Sequence, residues 1–308
     1  MVDHKKILVC GSADEAPVEM LIRSLKEMNA QFLILDQASL HEEVRLRWQI
    51  TDNGLAGDIS VGEESFSIHQ IQSVYHRFVD PEDFFESDTA PDITKRSRSV
   101  LRSLMELFDV LDARIVNRRR PMMSNNSKPY QALLIKQAGF SIPETLITDD
   151  PSALAEFESS YGPLIYKSIS SVRSIVSSFD KSSGSRLESL RTLTTQFQHK
   201  IEGFNVRVHV IGDQSFATQI ISPTTDYRYA GQEGQEASFS PYELTDDLHN
   251  KCLNLSRICK LPFAGIDLII NPEKVYCLEI NPSPGYSYYQ DATGQPISDA
   301  LAEYLMGE

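Results

Sequence analysis

At 308 residues, with 41% hydrophobic and 23% charged side chains, the chain is long enough to bury a large core and to divide into two or three subdomains. A net charge of −14 argues against a surface that grips nucleic-acid phosphates, and no apolar run approaches the length of a membrane span, so neither nucleic acid nor a membrane is an expected partner. Met1 to Lys6 lacks a signal-peptide core and the four cysteines, Cys10, Cys252, Cys259 and Cys277, lack CxxC spacing, which predicts a cytoplasmic protein without a zinc site or disulfide framework.

The opening alternates strand and helix. Lys6 to Cys10 reads as a strand, Gly11 to Asp14 as a turn, Pro17 to Met28 as a helix with Val18, Leu21, Ile22, Leu25 and Met28 on one face, and Gln31 to Asp36 as the next strand. This order predicts a parallel sheet of α/β class. The turn is poor in glycine, so no dinucleotide fingerprint is present. Short strands and turns are expected from 50 to 70, a strand from Ser73 to Phe78, a helix from Thr94 to Leu111 and a closing strand from Arg114 to Asn117. The dense basic stretch Arg118-Arg119-Arg120 reads as an exposed connector, and a domain boundary is placed near residue 118.

Beyond that boundary a helix is expected from Pro129 to Ala138, stopped by Gly139. Strands follow at Glu144 to Thr148, Leu164 to Ile169, Ser174 to Phe179, Val206 to Ile211 and Ser215 to Ile221, with helices at about 152–160, 246–260 and 296–306. The segment from Thr195 to Glu202 reads as a connection between strands. The parts expected are 1–118, 119–190 and 191–308, the later ones of α+β character.

The most telling residues lie near the end. Asp267, Glu279 and Asn281 stand in the otherwise apolar runs Phe263 to Ile270 and Val275 to Asn281, around the turn Asn271-Pro272-Glu273-Lys274. An ionised carboxylate among apolar strand formers is costly unless it is paired, hydrogen-bonded or bound to a cation. In an antiparallel hairpin that sets Asp267 opposite Glu279, all three side chains share one face, whereas a slip of one residue sends Asp267 to the other. Hard oxygen ligands without His or Cys suit Mg²⁺, which takes one or two carboxylates together with substrate phosphates, so the implied substrate is a nucleotide.

Further residues fit that reading. Lys128 opens a helix, where a lysine opposes the macrodipole unless an anion lies nearby, with a solvated surface lysine as the default alternative. Lys167 sits in a strand that is apolar on both faces, so it is expected to point into a cleft toward an anion, with a lysine that snorkels to the surface as the alternative. Arg207 shares a strand face with His209, and its planar guanidinium can clamp a phosphate or carboxylate. Asp226-Tyr227-Arg228 is a second candidate charge clamp, with a plain loop salt bridge as the default alternative. No GxSxG elbow or paired nucleophile is present, so the chemistry expected is metal-assisted phosphoryl transfer.

The order Lys128, Gly139-Phe140-Ser141-Ile142-Pro143-Glu144-Thr145, Lys167, Phe197-Gln198, Arg207, Asp267 and Glu279-Ile280-Asn281-Pro282-Ser283-Pro284-Gly285 resembles the ATP-grasp ligases over about residues 117–290, with a preATP-grasp domain before them. Arg207 and the Asn281 to Gly285 ending are most similar to the RimK-like branch, and Val74 to Arg77 with Asp226 to Arg228 are similar to the peptide-crosslinking graspetide synthetases. The resemblance implies ATP and Mg²⁺ as cofactors and a carboxylate-bearing and an amine-bearing substrate, such as a peptide, joined through an acyl phosphate to give an amide or ester. It implies nucleotide contacts from Lys128 and Lys167, an adenine pocket lined by the backbone of Gln198, His199, Lys200 and Ile201, and a ribose contact from Glu202. It also implies Mg²⁺ on Asp267, Glu279 and Asn281, and catalytic roles for Arg207 and Arg228. Homo-oligomers are common among such ligases. A small-molecule ligase similar to glutathione synthetase and an ATP-binding regulator without ligase activity are the alternatives. The segment Ser168 to Ile175 lacks the glycines that many such proteins place after the second lysine, so the phosphate lid is expected either there, with Arg173, or at Ser182 to Arg186.

Overall fold

The structure is a computed structural model that describes residues 5–167, 177–178, 194–221 and 237–307. The chain forms two compact units, one of residues 1–122, 261–263 and 285–308, the other of residues 123–260 and 264–284.

In the first unit, β1 (Lys6–Gly11) is followed by α1 (Ala16–Glu27) and β2 (Phe32–Asp36). Next come an antiparallel three-stranded sheet of β3 (Val44–Thr51), β4 (Gly54–Val61) and β5 (Glu64–Ser67), then β6 (Ile71–His76), α2 (Pro91–Val110) and β7 (Arg114–Val116). The main sheet runs β2-β1-β6-β7 and is parallel throughout, with Leu8 opposite both Leu33 and Val74 and Val74 opposite Ile115. Parallel strands are buried on both faces, which is why Ile7 to Cys10 form an unbroken apolar run. Val100, Leu104, Leu107 and Phe108 of α2 pack into one core cluster with Leu8, Leu35, Val74 and Ile115, each such side chain contributing about 1.5–3 kcal/mol when removed from water.

Two features of this unit depart from the sequence reading. Strand β3 starts at Val44, because exposed Arg45, Arg47 and Gln49 alternate with half-buried Leu46 and Trp48, a period-2 pattern that extends the expected 50–70 region forward. Arg118 and Arg119 are not exposed connectors. The Arg118 guanidinium donates to the carbonyls of Phe108, Leu111 (2.8 Å) and Ala113 (3.0 Å), and Arg119 pairs with Glu106 at 2.7 Å. Carbonyls at a helix C-terminus lack intrahelical partners, and a cation there is favoured by the macrodipole.

The polar end of β6 is also structural. His76 is buried between Phe78 and Phe108, its ring stacked on both, and its Nε2 lies 2.5 Å from the Asn117 carbonyl, so that nitrogen carries the proton. Arg77 pairs with Glu15 at 2.5 Å.

The second unit begins with α3 (Lys128–Gln137), β8 (Thr145–Thr148), α4 (Pro151–Tyr161), β9 (Leu164–Lys167), β10 (Ser177–Ser178) and β11 (Thr195–His199). It continues with β12 (Phe204–Ile211), β13 (Gln214–Ile221), β14 (Ser238–Tyr242), α5 (Asp246–Cys259), β15 (Phe263–Ile270) and β16 (Val275–Asn281). Two short helices, α6 (Ser287–Thr293) and α7 (Ile297–Met306), return to the first unit, where α7 packs on α1 and Ser24 hydrogen-bonds Ser298 at 2.9 Å. The strands of the second unit form a sheet of order β10-β9-β11-β8 and another of order β14-β13-β12-β15-β16. Pro241 lies in β14, an edge strand, where a missing N–H is tolerated.

The segment read as a connection, Thr195 to His199, is a central strand. Phe197 packs with Leu154 and Leu164 on one face, while Gln196 and Gln198 are buried on the other. Two glutamines flanking one aromatic residue look like a solvated edge in sequence, and only a cleft on their side hides them. Helix α3 stops as expected, with Gly139 at φ 92° and its N–H bonded to the Lys136 carbonyl at 3.0 Å.

Candidate active site

The hairpin of β15 and β16 presents the candidate oxygen ligands. Its loop is held by the Asn271 side chain, which accepts from the N–H groups of Glu273 (3.0 Å) and Lys274 (2.8 Å), and this sets Ile270 opposite Val275 and Leu268 opposite Cys277. Continued without interruption, that register would put Asp267 opposite Leu278. A bulge intervenes, so that Asp267 pairs with Glu279 and Gly265 with Asn281. Opposite residues of an antiparallel pair share a face, and the extra residue, Leu278, is what returns Asp267 to the face of Glu279 and Asn281.

Each carboxylate carries a cation. Arg207 on β12 is buried, reaches across β15 and donates from Nη1 to Asp267 Oδ1 at 2.7 Å. The path crosses Gly265, where a Cβ would stand 2.3 Å from Arg207 Nη2 and 2.5 Å from Cζ, so only glycine leaves room for the guanidinium. Lys128 donates from Nζ to Glu279 Oε2 at 2.9 Å and to Asn125 Oδ1 at 3.1 Å. Ser127 caps the helix N-terminus by accepting from the Tyr130 N–H at 3.4 Å. The Asn281 side chain accepts from the Ser283 N–H at 2.9 Å, which orients its carbonyl oxygen.

One turn along α3, the buried Gln131 donates to the Ile280 carbonyl at 2.8 Å and accepts from the Ile280 N–H at 3.2 Å. Strand β16 lies at the sheet edge, and Gln131 supplies the pairing that a neighbouring strand would provide, between Glu279 and Asn281.

A cleft of this unit is lined by Lys128, Ile142, Thr145, Gln196, Gln198, Leu278 and Glu279 among others. Gln198 stands opposite Thr145 of β8, and Lys167 stands opposite Gln196 in the register of β9 with β11. Of the segment expected at the adenine, Gln198 lines the cleft and the others do not. His199 faces Glu144, with Nδ1 3.4 Å from Oε2. Lys200 is exposed and its N–H donates to the Pro163 carbonyl at 2.8 Å, Ile201 is half-buried, and Glu202 is exposed. Arg228, with Asp226 and Tyr227, and both candidate phosphate lids, including Arg173, lie outside the described residues.

Cys277, on the cleft wall, has its thiol pushed well up by burial, with the charges of Asp267 and Glu279 adding to the effect. It is therefore a protonated thiol and no nucleophile. Among the described residues, no group of three or more His, Cys, Asp or Glu is placed to hold a metal. The hairpin instead offers two carboxylates and an amide carbonyl on one face. This hard-oxygen set fits Mg²⁺, which keeps waters and takes phosphate oxygens for the rest of its shell.

Gln196, Gln131 and Gly265 were given no role of their own by the sequence, and Thr145 entered only as the end of the Gly139 to Thr145 segment. A polar residue at every second position of a strand otherwise facing a core is a usable signal for the glutamines of β11. Nothing local marks Gly265, whose need arises from the neighbouring strand.

A family model described as the RimK-like ATP-grasp domain matches residues 124–305. A probable alpha-L-glutamate ligase of Stenotrophomonas maltophilia is 28% identical over 229 residues, covering 69% of this chain and 75% of that protein. Among solved structures, the Chryseobacterium gregarium RiPP-associated ATP-grasp ligase in complex with ADP and a leader and core peptide superposes with a TM-score of 0.80 at 20% identity, covering 98% of this chain and 96% of that one. The macrocyclase MdnC of Microcystis aeruginosa, bound with precursor peptide MdnA, superposes with a TM-score of 0.78 at 20% identity, covering 98% and 100%. At these identities the likeness shows a common fold.

Proposed function

Because the chain belongs to the RimK-like ATP-grasp family and is an ATP-dependent ligase, we propose that it joins a peptide carboxylate to an amine or hydroxyl, with MgATP held in the cleft lined by Lys128, Gln198 and Glu279. The observation that carries this reading is the bulged hairpin, which sets Asp267 opposite Glu279 and gives each carboxylate a cation from a different element, Arg207 and Lys128.

In the proposed reaction the substrate carboxylate oxygen attacks the γ-phosphorus of ATP. The β–γ bridge breaks and ADP leaves, giving an acyl phosphate. The amine or hydroxyl then adds to the acyl carbon and the C–O bond to phosphate breaks, releasing phosphate and a proton. Lys128 and Lys167 hold nucleotide phosphates, and Arg207 faces the charge that develops on the transferred group. Asp267, Glu279 and Asn281 hold Mg²⁺, which when bound neutralises phosphate charge. Such chemistry needs positioning and charge neutralisation more than a general base. Arg228 is assigned to the substrate side, and His199 to Glu202 to the base and ribose once nucleotide is bound.

Residues 1–118, 119–190 and 191–308 are assigned as functional parts, with 285–308 packing in the first unit. The four cysteines are buried and free, which supports a cytoplasmic setting, and no described helix is long and apolar enough to cross a membrane. The net charge of −14 is unfavourable to a surface that grips nucleic-acid phosphates, so no nucleic acid is part of the proposal, while a homo-oligomer is.

Peptide substrates are supported by the ligases of the same fold solved with leader or precursor peptides. Addition of a free amino acid such as glutamate is a second reading, supported by the description of the Stenotrophomonas relative. ADP release with Mg²⁺ separates them. Turnover on acidic peptides that disappears in Glu279→Gln supports the first, turnover on free glutamate with an acceptor supports the second, and ATP binding without turnover on either panel overturns both.

A further inference from the structure

The cleft wall contains an acceptor whose orientation is dictated by a short hydrogen-bond chain. Thr145 Oγ1 donates its one hydrogen to the Pro143 carbonyl at 2.9 Å. It can then only accept from Gln198, which lies 3.1 Å away and must present its Nε2. The amide of Gln198 is thereby turned so that Oε1 is left over, and this oxygen is buried in the cleft wall with no hydrogen-bond partner among the described residues, in a residue only 7% exposed. Gln196 Oε1, two residues away on the same face, is buried and likewise has no partner among the described residues. An unpaired buried acceptor is costly, and two on one cleft wall indicate a ligand that brings donors.

We propose that Gln198, locked by Thr145, accepts a hydrogen bond from the exocyclic amino group of the nucleotide base, with Gln196 as a second acceptor, so that side chains and not backbone alone select adenine. A base with a carbonyl at that position would set oxygen against oxygen. Thr145 is a positioning residue in this scheme, since it acts through Gln198. The inference rests on the reading that the nucleotide occupies this cleft.

The test compares ADP with IDP, which carries a carbonyl in place of the amino group, by calorimetry on the full chain in Mg²⁺. The parent protein is expected to prefer ADP by about tenfold to a hundredfold. Gln198→Met is expected to bring the two within about threefold. Thr145→Val, which frees the amide to turn over, lowers the preference, and Thr145→Ser, which keeps the hydroxyl, retains it. Should Gln198→Met not fold, the Thr145 pair decides. An ADP preference that survives both Gln198→Met and Thr145→Val overturns the inference, provided that Lys128→Met weakens both nucleotides alike. If Lys128→Met binds both as the parent does, the nucleotide lies elsewhere and the functional reading falls with the inference.

Discussion

Arg207 and Asp267 meet 2.7 Å apart across the bare backbone of Gly265, on adjacent strands. The pair is buried on the arginine side, and removing one partner of such an ion pair costs about 3–5 kcal/mol. Gly265→Ala is expected to push Arg207 from this position, lower Tm and reduce turnover by about a hundredfold or more. Arg207→Lys in the same chain, being slimmer, should restore part of the Tm and none of the turnover. Full activity in Gly265→Ala would show that the Arg207 position is immaterial.

Lys128 and Glu279 form the other pair, half-buried at 2.9 Å. With both carboxylates countered by cations, Mg²⁺ alone is expected to bind weakly and MgADP well, because nucleotide phosphates draw Lys128 away and add ligands. Calorimetry of Mg²⁺, ADP and MgADP against the parent and Glu279→Gln checks this. Equal ADP affinity with and without Mg²⁺ in the parent would contradict it.

Gln131 satisfies both backbone groups of Ile280. Gln131→Leu keeps the volume and leaves an N–H and a carbonyl unpaired, at about 1–3 kcal/mol each. Tm should fall by several degrees, and turnover should fall further than Tm explains, because the strand between Glu279 and Asn281 loses its brace. Unchanged kinetics at a temperature well below Tm would reduce Gln131 to a stability residue.

His76 governs a pH effect in the first unit. Burial holds its pKa below the usual 6.5, outweighing the Asn117 carbonyl and the Asp109 charge, which act in the opposite direction. The unfolded chain therefore binds the proton more readily than the folded one, and stability rises with pH in that window. The contribution is complete above about pH 6.5 and is lost as pH falls from there through the folded pKa. Thermal unfolding between pH 7.5 and 5 should show this loss, and His76→Phe should reduce the slope.

The cysteines are buried and free, with burial pushing the Cys259 thiol up to about 11 and the Cys252 thiol up to about 12. An aromatic disulfide reagent at pH 8 should label the native protein slowly and the denatured protein at all four positions. Rapid native labelling would mean that one of these regions opens readily.

Much of the architecture was legible because its signals are periodic. The unbroken apolar run of β1 and the stripe of Val18, Leu21, Ile22 and Leu25 on α1 specify a buried parallel strand and a covering helix wherever they occur. The misread parts are those whose surroundings lie far away in sequence. Gln196 and Gln198 look solvated until β8 and β9 flank them, and Arg118 looks exposed until the end of α2 offers its carbonyls.

The carboxylate hairpin divides along the same line. Its ligand types, their spacing and the turn between them are local, and the amino acids alone determined that Asp267, Glu279 and Asn281 form one constellation if the register allows. The register itself was decided in three dimensions. The four-residue loop would set Asp267 against Leu278, and the bulge at Leu278 returns it to Glu279. A bulge has no sequence period. It persists because the alternative would turn Asp267 away from Arg207 and break a buried ion pair, and that cost exists only once β12 lies beside β15.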